Sequence, residues 1–135
     1  MFNKPEWAEV VESKIFEYRD KREYLVHRHV IMPDHIHVLL TPGPTTTVER
    51  AAQLIKGGSS HEIGLKFATK FPVWQPGFGQ HLIRDQADYD SHVQYIDMNP
   101  VKRHLASRPE EYAFGSAHGK YSLDAWPVAS GAKAP

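Results

Sequence analysis

The stretch MPDHIHVLL, residues 32–40, carries His35 and His37 one residue apart inside an apolar run. Burying an imidazole costs free energy unless its ring nitrogens find partners, so two histidines where Val or Leu would serve need a reason. Side chains alternate across a strand, so both rings would point to one face with Cα atoms about 6.5–7 Å apart. Ile36, Val38 and Leu40 would then point to the other face, free to meet helices, while the histidine face stays open. Two imidazoles so placed can reach one ion, and histidine is a common metal ligand. They can equally be two half-exposed strand histidines satisfied by water. A closed zinc site is not expected, because the chain has no cysteine and no third histidine nearby. A histidine-triad nucleotide hydrolase would want a histidine at 39, where Leu39 stands, and a two-motif phosphodiesterase would want a second His-x-Thr/Ser, which is absent.

A second stretch, DSHVQYIDMNPVKRHL at 90–105, reads as a helix. Positions three and four apart share a helical face, which aligns His92, Tyr95 and Asn99 beside an apolar stripe of Tyr89, Val93 and Ile96. Alone, Tyr95 is an amphipathic filler and Asn99 a cap before Pro100. Taken with the histidine pair, the same residues acquire chemistry. A metal on His35 and His37 needs a further oxygen ligand, which Asn99 can supply, and Tyr95 lies one helical turn from Asn99. A phenol becomes a useful nucleophile when a cation or base favours the phenolate. The same cation can polarise a phosphodiester and stabilise its non-bridging oxygens. Such a centre would break a DNA strand covalently.

The elements that must position these groups follow from periodicity. PEWAEVVESKIFEYRD (5–20) predicts a helix opened by Pro5, with Trp7, Val10, Val11, Ile15 and Tyr18 at helical spacing. YLVHRHVI (24–31) and HIHVLL (35–40) predict antiparallel strands. VERAAQLIK predicts a short helix capped by Thr46 or Thr47; GGSS is expected to interrupt it before HEIGLKFATK resumes. QHLIR (80–84) predicts a short extended piece. Asp85 is placed to cap a third long helix near 86–98, with Pro100 as its stop. Residues 101–118 are expected to hold a short helix or turn. The order α-β-β-α-(α)-β-α implies an α+β fold with helices packed mainly on one face of a small sheet.

Length and charge set the limits. The 135 residues fit one domain, expected over 1–118, with 119–135 as a flexible tail. Sixteen basic and 16 acidic residues cancel, so any nucleic-acid surface must come from local segregation of charge. No apolar run approaches the roughly 20 residues that span a bilayer, and MFNKPEWAEV lacks the apolar region of a signal peptide. The default expectation is a cytoplasmic protein.

Five segments together resemble the single-tyrosine HUH transposases, and most closely the REP-associated tyrosine transposases of bacteria. They are VIMPDHIHVLLT (30–41), QLIKGGSS (53–60), VWQPGFGQHLIRD (73–85), YIDMNPVKRHL (95–105) and RPEEYAFGSA (108–117). The resemblance covers about residues 24–118 and implies a ferredoxin-like antiparallel sheet. It implies that His35 and His37 ligate a divalent metal, Mg²⁺ or Mn²⁺, that Asn99 is the third protein ligand and that Tyr95 is the nucleophile. Imidazole ligation favours Mn²⁺ over Mg²⁺. It further implies cleavage and rejoining of single-stranded DNA at hairpin-forming repeats through a 5′-phosphotyrosine link. Family members usually begin with an additional strand, whereas Met1 here falls almost at the first helix, so either a smaller sheet or a true start further upstream is expected.

DNA contacts are expected from cations that neutralise phosphates. The candidates are Arg50 and Lys56, with His61, Lys66 and Lys70, in the middle helices, then Arg84, Lys102 and Arg103. Trp74 and Phe78 can stack unpaired bases or pack under the loop. His81 and His92 are candidate auxiliaries of the site. The alternative reading is a module of the same fold that grips structured DNA or RNA without cutting it.

Overall fold

The computed structural model describes residues 5–33, 35–67 and 85–126. The elements run α1 (Pro5–Asp20), β1 (Tyr24–Met32), β2 (His35–Pro42), α2 (Val48–Phe67) and α3 (Gln86–Lys102), followed by single 3-10 turns at Pro109–Glu111 and Ser116–His118. The expected strand QHLIR lies outside the described residues.

β1 and β2 pair antiparallel, from Tyr24↔Pro42 to Met32↔His35, with a register shift between Val26 and Arg28. His27 is the extra residue of this bulge. A one-residue shift moves every later side chain to the opposite face. Tyr24 and Val26 therefore share a face with His29 and Ile31, while Arg28, Val30 and Met32 look the other way.

The first face packs on α1 and α2. Trp7, Val10, Val11, Ile15 and Phe16 of α1 meet Val26 and Ile31, with Ala51, Ile55 and Ile63 of α2 closing the core and Ile36, Val38 and Leu40 at its margin. The buried Glu12 carboxylate reaches His29 Nε2 at 2.7 Å and accepts from Lys120 Nζ at 3.2 Å, which ties α1, β1 and the C-terminal segment together. The second face carries Val30, Met32 and Leu39 and is covered by Ile96 of α3 and by Trp126, with Tyr89, Val93 and Tyr112 alongside. The fold is α+β as expected, with two of the three helices on one face. The histidine face, expected to stay open, is instead crossed by α3.

Two expectations about local structure change, and one is met. α2 runs unbroken through Gly57 and Gly58. A Cβ on Gly58 would stand 2.4 Å from the Tyr18 hydroxyl, so this glycine marks the close approach of α1 to α2 rather than a helix break. Thr47 is the residue that caps the helix, its hydroxyl accepting from the Arg50 N–H at 3.1 Å. Pro100 does not stop α3 but lies fully buried in its last turn. That turn closes through Arg103 N–H to the Asn99 carbonyl at 3.1 Å and Leu105 N–H to the Pro100 carbonyl at 2.8 Å, with His104 at a positive φ of 61°.

The tail expected from residue 119 is corrected over 119–126. Ser116 and Asp124 occupy the edge of β1 that faces away from β2. The Ser116 hydroxyl bonds the backbone N–H and carbonyl of His29, and the Asp124 carboxylate accepts from the Val26 N–H at 2.9 Å. The Asp124 N–H donates to the Val26 carbonyl at 2.8 Å. Tyr121 stacks on Phe16 and Trp126 on Tyr89. A sheet edge with unmet N–H and C=O groups is a liability, and this segment satisfies it without a regular strand. Among the described residues, no helix is long and apolar enough to cross a membrane.

Candidate functional site

The register fixes where the histidines point. His35 and His37 lie opposite Met32 and Val30, on the face that α3 covers. Their rings meet edge to face with centroids 4.7 Å apart. Two imidazoles on alternate positions of one strand thus converge, as the spacing predicted. His37 is partly buried, and this burial, followed by the nearby His35 and His92, lowers its pKa below the usual 6.5. A ring kept neutral retains a lone pair for a metal.

α3 brings the second half of the site. Asp85 caps its N-terminus, accepting from the Asp88 N–H at 2.8 Å. Ile96 points into the core, which leaves Tyr95 on the flank that overlies β2. The Tyr95 ring stands perpendicular to His37 at 5.2 Å between centroids, within one chain. It is 50% exposed, so its hydroxyl is open to a large substrate. Asn99, one turn further on, is only 7% exposed. Its Nδ2 is buried without a hydrogen-bond partner. Amide oxygen and nitrogen are told apart by their bonding partners, and a cation would be met by the oxygen in that place.

Among the described residues, no cluster of three or more histidine or acidic side chains is arranged to hold a metal. Two imidazoles and an amide oxygen would make a donor set for a divalent cation with positions left for substrate. The orphaned Asn99 amide fits that set. His92, on the same helix, is tethered through Nδ1–H, which donates to the Asp88 carbonyl at 2.9 Å with the Asp88 carboxylate at 3.2 Å.

The cationic candidates are spread more widely. Arg50 is exposed on α2, and Lys56 lies on the same helix; Lys102 and Arg103 are exposed at the end of α3, one turn past Asn99. Trp74, His81 and Arg84 lie outside the described residues. Two residues at the site were not anticipated. Arg28 on β1 and Asp97 on α3 face each other with Arg28 Nε 3.9 Å from Asp97 Oδ2. Only the bulge at His27, invisible in the alternation of residue types, turns Arg28 to this side.

Residues 1–99 match the family model described as "Transposase IS200 like". The chain belongs to the IS200-like transposase family. The family is one of tyrosine transposases. A REP-associated tyrosine transposase of Escherichia coli (strain K12) is 28% identical over 121 residues, spanning 89% of this chain and 70% of that protein. A solved structure of a REP-associated tyrosine transposase bound to a REP hairpin superposes with a TM-score of 0.68 at 30% identity, covering 86% of this chain and 71% of that one. The α+β architecture is shared with that structure.

Proposed function

We propose that this chain is a metal-dependent single-stranded DNA transesterase, which cleaves and rejoins hairpin-forming repeat DNA through a covalent 5′-phosphotyrosine intermediate. The observation that carries the reading is the Tyr95 ring set against His37 within one chain, beside the orphaned amide of Asn99. The hairpin held by the structural relative supports the choice of substrate.

His35, His37 and Asn99 would hold Mg²⁺ or Mn²⁺, which when bound supplies Lewis acidity to the non-bridging oxygens of the scissile phosphate. Tyr95 is the nucleophile. Its Oη forms a bond to phosphorus as the bond from phosphorus to the 3′-oxygen breaks; the phenol loses its proton and the departing oxygen gains one. The product is a 5′-phosphotyrosine and a free 3′-OH. Rejoining is the reverse displacement, and it needs no nucleotide cofactor because one phosphodiester replaces another. Exposure of Tyr95 suits attack on a polymer rather than a small molecule in a closed pocket. Lys102 and Arg103, past the end of the Asn99 turn, neutralise flanking phosphates, and Arg50 and Lys56 extend that contact along α2.

Hairpin oligonucleotides labelled at the 5′ or the 3′ end test this with Mn²⁺ present. The expected result is a covalent protein adduct on the fragment downstream of the cut, abolished by EDTA and by Tyr95→Phe. Hairpin binding that ignores both treatments, with no cleavage, would favour the non-cutting module instead.

A further inference from the structure

Tyr95 cannot set its own position. It is half exposed, and its ring rests edge-on against His37. The helix beneath it is seated by Ile96, Val93 and Tyr89 against Val30, Met32, Leu39 and Trp126. Apolar contacts are non-directional, so they resist lifting of the helix far better than they resist a roll about its axis.

Residues in a helix are separated by about 100° around the axis. With Ile96 pointing down, Tyr95 and Asp97 fall on opposite flanks. The Tyr95 flank lies over β2, where it meets His37, and the Asp97 flank lies over β1, where it meets Arg28. The apolar seat leaves the roll angle loosely set, and an ion pair on one flank gives it a preferred value; without that pair the helix can rock either way and Tyr95, on the other flank, no longer keeps one place over His37. We propose that Arg28 and Asp97 are a positioning pair, which holds α3 against rolling and so fixes Tyr95 over the histidine strand.

Two features support an electrostatic tether. Both side chains are partly buried, and Arg28 Nε and Asp97 Oδ1 are buried without any hydrogen-bond partner, so the ion pair at 3.9 Å is what meets the two charges. A charge in that setting gains most from its opposite number, and removal of either leaves the other uncompensated. The bulge at His27 supplies the second feature. Without the extra residue, Arg28 would face α1 and no cation would stand under Asp97.

The importance of the pair for catalysis rests on Tyr95 being the nucleophile; its effect on geometry does not. The test is therefore made on the metal-free protein by NMR, reading the nuclear Overhauser cross-peak between the Tyr95 and His37 ring protons. Asp97→Asn and Arg28→Gln are each expected to lose that cross-peak while melting cooperatively. Arg28→Lys is expected to keep it, and the charge swap Arg28→Asp with Asp97→Arg to regain it. A cross-peak retained in either single variant, or absent in the swap while Arg28→Lys keeps its own, overturns the proposal. Failure of the wild-type chain to cleave DNA, with its cross-peak intact, would count against the nucleophile and not against the pair.

Discussion

The rings of Tyr95 and His37 stand at 90° to one another with 5.2 Å between their centroids. An edge-to-face aromatic pair contributes about 0.5–1.5 kcal/mol beyond the area it buries. The contact is thus strong enough to bias the tyrosine and too weak to hold it alone. His37→Phe separates the ring from its nitrogens. The variant is expected to melt within about 4 °C of wild type, equivalent to roughly 1 kcal/mol. Its cleavage should fall by more than the roughly 10–100-fold that loss of an outer partner of a metal ligand costs. Calorimetry and adduct formation with Mn²⁺ measure the two effects separately.

The adjacent glycines of α2 should respond differently to alanine. A Cβ at Gly57 meets nothing within 4 Å, whereas one at Gly58 meets the Tyr18 ring and hydroxyl, the hydroxyl at 2.4 Å. Alanine in a helix interior is about 1 kcal/mol better than glycine. Gly57→Ala is therefore expected to stabilise by about that amount. Gly58→Ala should fall short, since Tyr18 must swing aside. In a Tyr18→Ala background the two substitutions should become equal, which urea denaturation of the double-mutant cycle will show.

His27 makes stability depend on pH. A carbonyl can only accept, so its Nδ1–H donates to the Asp124 carbonyl at 2.8 Å, and Nε2 then accepts from the Thr41 hydroxyl at 2.7 Å. The bond accepted at Nε2 requires a neutral ring, and burial pushes the pKa below 6.5 against the opposing pull of the Asp124 carbonyl and carboxylate. The folded value thus lies below the unfolded one, and the native state binds fewer protons. The stabilisation is fully present above about 6.5, the unfolded value, and is lost as pH falls through the folded value. Urea denaturation between about pH 5 and pH 8 should show stability falling on acidification, with a shallower fall in His27→Gln.

Lys102 and Arg103 should contribute charge rather than sequence preference. Each phosphate contact adds about 0.9 to the slope of log affinity against log salt on duplex DNA and about 0.7 on single strands. Lys102→Ala and Arg103→Ala are each expected to weaken hairpin binding uniformly across sequences and to reduce that slope by roughly 1. Fluorescence anisotropy at several salt concentrations measures it.

What the sequence reveals here depends on the range of the interaction. The α1 boundaries, the hairpin and the facing of His35 and His37 follow from short-range periodicity, and α1 spans the expected residues. The Asp85 cap is likewise local. The errors lie where a distant partner decides. Gly57 and Gly58 read as a break until Tyr18 is seen above the second of them. Pro100 reads as a stop, yet its ring is buried and the turn closes beyond it. Residues 119–126 look like tail, but Asp124 answers an unpaired edge at Val26 and Trp126 an open aromatic face at Tyr89, both on elements distant in the chain. The site divides in the same way. Tyr95 and Asn99 share a face by helical arithmetic, whereas Arg28 reaches that side only through a bulge that no residue type announces.

Mapping the residue that becomes linked to DNA tests the whole account. Wild-type protein is incubated with a hairpin oligonucleotide and Mn²⁺, digested with nuclease and trypsin, and the nucleotide-bearing peptide fragmented in a mass spectrometer. The expected product is a 5′-phosphonucleotide on Tyr95, resolved from Tyr89 in the same peptide. A nucleotide on Tyr89 or Tyr112, or cleavage of the hairpin with no protein-linked nucleotide, would contradict it.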